Sequence, residues 1–521
     1  MELSFNKVKF RITKLKIAYL SLISVFLLYL IKDMQFNTAF VDEAIYATIG
    51  EEVLRKIYWE NAISWMGGSY LYPVISGFIN RYYGLEGIRM FSALCVLTAG
   101  VLSAKLARLL GGKYSSLAAL IFFLFSSLSL NLGQLGTYDT PSLMCMSISF
   151  YCVITSRYHI GKRKFLLLIL SSFFMTLAVL SKYVAILFVP TIILAIIPTV
   201  KNTTEFIKHI PKLTVYILCW SLPFTALVGW YVFVNYSQVI NFFEGDFFSE
   251  PSNLLTIFTT LIQSTNFIII GATTSLVYAL LKVKGEKKWL VIVLFIGGLA
   301  PILYHLSSMN IRSFPKHLVF TLFYWVPLTG WILNKIYTKL TQVSNSFTFI
   351  NNSYQLIWTT LFILIITNTW LSFAKHWQFQ RSWPSSTATL EYLREHRKND
   401  DKIFAEAAAI YKFHMFEGFE DPSAWPSTWH LEYKGKFGVD AMKMAISEKA
   451  FDYIILNDYF TSEINREIKP VINEYYEVVA FDDYKLSGVH TITTLVWQPK
   501  DDTNILVLSE NNDWFSYFSK P

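Results

Sequence analysis

Charge is scarce in this chain. Of its 521 residues only 16% are Asp, Glu, Lys or Arg, against roughly 25% in an ordinary soluble domain. That shortage excludes a conventional soluble surface over the whole length. Cysteine is scarcer still. Cys95, Cys145, Cys152 and Cys219 all lie inside apolar stretches, and none has metal-ligand spacing with a histidine. They read as small core residues, not as a disulfide framework or a zinc site. There is no internal repeat, no low-complexity tract and no P-loop, GxSxG, HExxH or CxxC pattern, so the common nucleotide, hydrolase, zinc-protease and redox motifs are missing. The histidines are scattered, with His159 and His209 in polar loops. The net charge of +8 comes from short basic loops between apolar runs, which is no sign of nucleic-acid binding.

What the chain has instead is apolar length. Hydrophobic residues make up 53% and aromatics 17%. Apolar runs of membrane-spanning length recur from Ile17 to Phe373, which predicts an α-helical polytopic membrane protein. Eleven spans are expected, at about 15–33, 87–110, 115–135, 140–156, 164–181, 184–199, 213–235, 254–281, 289–305, 317–334 and 355–373. The basic stretch KVKFRITKLK precedes the first run. No small-residue cleavage site follows it, so it reads as an uncleaved first helix with its N-terminus in the cytoplasm. Counting outward, the basic loops RYHIGKRK, KNTTEFIKHIPK and KVKGEKK fall inside, and Asp42, Asp139, Glu244 and Asp246 fall outside. Two outer loops break that pattern, one with Lys182 and one with Arg312, Lys316 and His317. Positive charge on the wrong side needs a reason other than topology, and an anionic ligand is one.

Two further regions stand apart. From Phe40 to Glu60 the sequence FVDEAIYATIGEEVLRKIYWE places Val41, Ile45, Ile49, Val53 and Ile57 on one helical stripe. Glu51, Glu52, Arg55 and Lys56 hold the other face, as suits the membrane–water interface. Asp42 and Glu43 stand at its start, where an N-cap and a dipole-favoured acid are the ordinary roles. Beyond about residue 384 the long apolar runs end, and strands alternate with helices. The expected division is a membrane unit over 1–376, with interfacial first-loop helices over 41–83, and a small extracytoplasmic α/β domain over 377–521.

Carboxylates and isolated cations thus share one face of a helical bundle. A phosphate leaving group needs cations, and a hydroxyl nucleophile needs a placed carboxylate. Transfer of a sugar from a polyprenyl-phosphate donor needs both, together with aromatic side chains against the sugar. The stretch DEAIYATIGEEVL resembles the first-loop motif of the GT-C glycosyltransferases of the protein O-mannosyltransferase and aminoarabinose-transferase type. GGSYLYPVISGFI, EGIRMFSALCVLTAGVLSAKLARLLGG, GTYDTPSL, TLAVLSKYVAILFVP and IRSFPKHLVFTLFYWVP resemble later segments of that family, in order, over roughly residues 15–335.

The resemblance implies a GT-C membrane fold, a polyprenyl- or dolichyl-phosphate sugar donor, and a lipid, glycan or protein acceptor at the outer face of the plasma or inner membrane. It implies that Asp42 is the catalytic carboxylate and that Glu43 supports it. Arg89, Lys182, Arg312, Lys316 and His317 would face the donor phosphate, Asp139 would line the cavity, and Tyr46, Tyr72 and Tyr138 would flank the sugar. No DxD pair stands in the first loop, so no cofactor is expected. Glu244 and Asp246 form an ExD pair that is the weaker alternative for a divalent metal. The rival readings are a flippase of lipid-linked glycans and a non-catalytic membrane assembly protein.

Overall fold

The structure is a computed structural model, and it describes residues 14–56, 62–197, 203–244, 253–311, 313–344, 366–415, 424–487 and 490–500. The chain divides into two compact units. One comprises residues 1–35 and 49–377, the other residues 36–48 and 378–521.

The first unit is helical. In chain order its helices are α1 (Lys14–Lys32), α2 (Val41–Leu54, which begins in the other unit), α3 (Ile63–Met66), α4 (Leu71–Gly111), α5 (Lys113–Leu124), α6 (Ser127–Gly133), α7 (Asp139–Ser156) and α8 (Lys162–Ser181). A 3-10 turn, Tyr183–Phe188, leads into α9 (Val189–Ile196). Then follow α10 (Thr203–Val234), α11 (Tyr236–Glu244), α12 (Leu254–Thr265), α13 (Phe267–Lys282), α14 (Glu286–Ser308), α15 (Phe314–Ser344) and α16 (366–379). Among the described residues, five helices are long and apolar enough to cross a membrane, and seven spans result if each of two bent pairs is one. The expected eleven therefore do not emerge as eleven straight helices. The segment around 115–135 is α5 and α6, bent by 61°, and 254–281 is α12 and α13, bent by 87°. The second bend turns on Asn266, a non-glycine residue at φ 44°. Residues 355–365 of the last expected span lie outside the described residues.

The first loop also departs from expectation. The stretch GGSYLYPVISGFI turns into helix at Leu71, and α4 runs on from there, interrupted at Gly84, where φ is 60° and ψ −161°. Glu51 and Glu52, expected on a wet face, are 5% and 0% exposed. The reason is a backbone-to-backbone crossing. A Cβ on Gly50 would land in the carbonyl of Pro73, and one on Gly77 would land on the backbone of Gly50 and Glu51. The two glycines let α2 and α4 touch, as small residues do between membrane helices. Glu51 is met at this crossing by Arg81 at 3.0 Å and Arg55 at 3.4 Å. A Gly50→Ala change is expected to cost about 2–3 kcal/mol, because the obstructing atoms are backbone. Thermal unfolding in detergent should show it, while Gly229→Ala, in α10 with nothing within 4 Å, should cost nothing and gain up to about 1 kcal/mol.

The second unit holds α17 (Thr387–His396), β1 (Ile403–Ala405), α18 (Ala408–Met415), β2 (Glu432–Tyr433), β3 (Lys436–Phe437), α19 (Gly438–Ser447), β4 (Tyr453–Leu456), α20 (Ser462–Tyr475), β5 (Tyr476–Lys485) and β6 (Thr491–Pro499). Its four-stranded sheet runs β1-β4-β6-β5. β1 and β4 pair in parallel, β6 is antiparallel to β4 and to β5, and β2-β3 is a separate hairpin. The strands β1 and β4 are buried throughout, the pattern of strands covered on both faces. At their C-terminal ends Glu406 is 2% exposed. It accepts backbone N–H bonds from Asn457, Asp458, Phe460 and Thr461 and a side-chain bond from Asn465. A buried carboxylate so fully bonded is a structural anchor for the loop after β4.

The segment 36–48 belongs to this unit, although the sequence division assigned it to the membrane part. Trp383 holds it. Its ring packs on Phe36, Phe40 and Phe379 at 5.5, 5.2 and 5.6 Å between centroids. Asn37 Nδ2 donates to the Trp383 carbonyl at 3.0 Å, and Trp383 Nε1 donates to the Thr38 carbonyl at 3.3 Å. Ser386 N donates to Thr38 Oγ1 at 3.2 Å, and Ala39 N donates to His414 Nε2 at 3.1 Å.

Candidate functional site

In the membrane unit the site is built on a break after α8. Ser69 N donates to the Leu180 carbonyl at 2.8 Å, and Tyr183 N donates to the Gly67 carbonyl at 2.9 Å. Gly68 lies so close to Ser181 that a Cβ would meet its carbonyl. Gly67 itself adopts φ 72°, a conformation open to glycine at little cost. This two-bond ladder ends the helix and holds Lys182 extended, at φ −150° and ψ 123°.

From that position the Lys182 ammonium forms an ion pair with Asp139, the residue that opens α7. Both are buried, at 5% and 1% exposure. The ammonium also stands 4.6 Å from the centre of the Tyr138 ring, within cation–π range. Asp139 accepts a further bond from Thr137 Oγ1 at 3.3 Å. The sequence reading left Lys182 alone in its loop. The fold instead supplies a partner from 43 residues away, as a buried cation requires. Beside the break, Tyr183 is surrounded by aromatics. Its hydroxyl meets Tyr231 Oη at 2.8 Å, and its ring lies 5.3 Å from Phe242 and 6.0 Å from Phe243.

His317 is buried in the first turn of α15, and its Nδ1 lies 2.8 Å from Nε2 of His305. His305, near the end of α14, reaches the Asn310 carbonyl with its other nitrogen. Sequence reasoning missed His305, because nothing in YHLSSMNIRSFPKH marks it apart from neighbouring loop residues. Lys316 is half-buried. Arg312 lies outside the described residues.

Arg89 and Tyr72 are fully buried. Arg89 Nη1 donates to the Met34 carbonyl at 2.6 Å, and Gln134 Nε2 donates to the Leu30 carbonyl at 3.2 Å. Gln134 thus serves a carbonyl of the last turn of α1, where helical partners run out, and Arg89 serves the Met34 carbonyl just beyond it. Glu244 is exposed at the end of α11, and Asp246 lies outside the described residues. Among the described residues no three of His, Cys, Asp and Glu come together as metal ligands.

In the other unit, Asp42 is half-buried and Glu43 and Tyr46 are buried. Ala44 N donates to the Phe40 carbonyl at 3.0 Å, so Phe40 is the cap residue of α2. Glu43 Oε2 accepts the Phe40 N–H at 2.8 Å, which is half of a capping box. Glu43 therefore takes the capping role that the sequence offered to Asp42. Asp42 sits one residue inside the helix. Trp383→Ala should loosen this segment. If Asp42 acts on substrate, turnover is expected to fall roughly 10- to 100-fold with donor affinity kept, since small misplacements of a reacting group are costly. Steady-state kinetics alongside donor titration would check it.

The family described as dolichyl-phosphate-mannose-protein mannosyltransferase matches residues 81–229. No curated protein sequence matches the chain. Among solved structures, ArnT from Cupriavidus metallidurans is similar in its apo state, with a TM-score of 0.58 and 13% identity over 92% of this chain and 97% of that one. The same protein bound to undecaprenyl phosphate gives 0.60 and 12% over the same shares. The Archaeoglobus fulgidus oligosaccharyltransferase in its apo form gives 0.53 and 10% over 93% of this chain and 74% of that one.

Proposed function

We propose that this integral membrane protein, whose fold is that of the GT-C superfamily, is a glycosyltransferase that takes its sugar from a polyprenyl- or dolichyl-phosphate carrier. The observation that carries the reading is the buried Lys182–Asp139 pair, held at a helix break over the Tyr138 ring. A buried ionisable residue in a membrane bundle marks a functional site by default, and a phosphate head group has use for a lysine held there. The family match and the solved relatives, one bound to undecaprenyl phosphate and one an oligosaccharyltransferase, support the same class.

In the proposed reaction the acceptor hydroxyl attacks the anomeric carbon in one displacement with inversion. Asp42 takes its proton. The bond from anomeric carbon to phosphate oxygen breaks, and its electron pair leaves with the polyprenyl phosphate. Lys182 stabilises that departing charge, with Arg89, Arg312 and Lys316 as further cations. Asp139 lines the site and orients Lys182. Tyr138, Tyr72 and Tyr46 are offered to the sugar. The reading places the reaction at the outer face of the plasma or inner membrane, with the N-terminus inside and residues 377–521 outside. The acceptor is a lipid, glycan or protein hydroxyl.

The two sharply bent helix pairs favour one alternative, a flippase, because broken spans are common in transporters. One assay separates the two. Purified protein is given radiolabelled sugars on synthetic polyprenyl phosphates, with membrane extract as acceptor. Release of label from one donor is the expected result. Donor binding without release from any member of the panel would overturn the transferase reading in favour of transport.

A further inference from the structure

His317 holds a nitrogen with no bond among the described residues. It is 6% exposed, and no described residue is a hydrogen-bond partner of its Nε2. The surrounding bonds determine what that nitrogen can take. The Asn310 carbonyl can only accept, so His305 Nδ1 carries a hydrogen. In a neutral His305 the Nε2 is then bare. The 2.8 Å contact with His317 Nδ1 therefore needs the hydrogen on His317. A neutral His317 is left with a bare Nε2, which is an acceptor and not a donor.

An acceptor has little to offer a phosphate. The cation a phosphate needs stands on the neighbouring segment, because Lys182 leads into the 3-10 turn whose Phe188 stacks on Phe320, three residues beyond His317 in α15, at 5.3 Å. What a buried acceptor lacks is a donor, and an unmade bond in a buried place is costly. On the glycosyl-transfer reading, the sugar is bonded directly to the phosphate that Lys182 would hold. Its ring hydroxyls are thus the donors that come within reach.

We propose that His317 accepts a hydrogen bond from one hydroxyl of the transferred sugar, with His305 fixing its tautomer, so that the pair selects sugars by the presence of that hydroxyl. The inference rests on the transferase reading above and deepens it. Discrimination of this kind is strong because the analogue lacking the hydroxyl leaves the acceptor unpaired.

The test uses the full-length protein and a set of polyprenyl-phosphate donors, each missing one ring hydroxyl. Wild type should lose roughly 10- to 100-fold in kcat/KM on one of them. His317→Phe should lose a similar factor on the intact donor and nothing more on that analogue. His317→Gln, whose amide oxygen can stand near the Nε2 position, should recover part of the discrimination, and it serves if the Phe variant fails to fold. If both variants discriminate among the analogues as wild type does, the inference is overturned while the transferase reading stands. Absence of wild-type transfer from every intact donor would instead defeat that reading.

Discussion

Asp42→Asn protein is expected to fold, to bind donor as wild type does, and to lose sugar transfer by about 10²- to 10⁴-fold, the usual contribution of a placed general base. The cap of the helix does not depend on this residue. Had Asp42 been the cap of α2, Asn would have served nearly as well, since the two rank together at that position. Phe40 is the cap residue instead, and Glu43 returns a bond to its N–H. The charge of Asp42 near the positive end of the helix is worth about 0.3–1 kcal/mol, and Asn removes it. Glu43→Ala should show the opposite profile, with about 1 kcal/mol of stability lost along with the cap bond. Its turnover should fall less than in Asp42→Asn. Radiolabel transfer and thermal unfolding on the same preparations would read both. Wild-type turnover in Asp42→Asn would remove Asp42 from the mechanism.

Much of the site was legible one residue at a time. Lys182 stood out because a lysine in an expected outer loop breaks the charge pattern, and Asp139 because it is a carboxylate at the start of an expected span. Their pairing was not legible, because 43 residues separate them and only the packing of α7 against the end of α8 joins them. His305 was invisible for the same reason. A histidine twelve positions before another carries no periodic signal, and the closing of the loop between α14 and α15 creates the pair. Apolar runs gave the helices, but not where they break. The bend at Asn266 has no proline or glycine to announce it. The burial of Glu51 and Glu52 escaped the amphipathic reading because a helical stripe reports which residues share a face, not which face is covered. Gly50 and Gly77 were the available hint, since two glycines on successive helices permit close approach. The anchoring of residues 36–48 to Trp383 could not be read at all. It joins segments about 345 positions apart, and a tryptophan near the end of an apolar run reads equally well as an interfacial belt residue.

Lys182→Met separates what the buried pair does for the fold from what it does for transfer. Removing the lysine leaves Asp139 at 1% exposure with its charge uncompensated. Breaking a buried pair from one side costs about 3–5 kcal/mol. The single variant should therefore unfold at lower temperature and give no measurable transfer. That result alone would not distinguish a structural lysine from a functional one. Adding Asp139→Asn removes the stranded charge, keeps an acceptor for Thr137 Oγ1, and should return stability to within about 1 kcal/mol of wild type, because neutral replacement of both partners is commonly tolerated. Transfer should not return with it. If Lys182 stabilises the departing phosphate, the double variant stays down by about 10²- to 10³-fold, the usual loss when one electrostatic stabiliser is taken from a transition state. A double variant that is stable and active would make the pair a fastener for α7 and α8, and would move the phosphate to Arg312 and Lys316. Titration with undecaprenyl phosphate completes the logic. Affinity lost in the stable double variant places Lys182 on the head group, and affinity retained with turnover lost places it on the charge that develops as the sugar leaves.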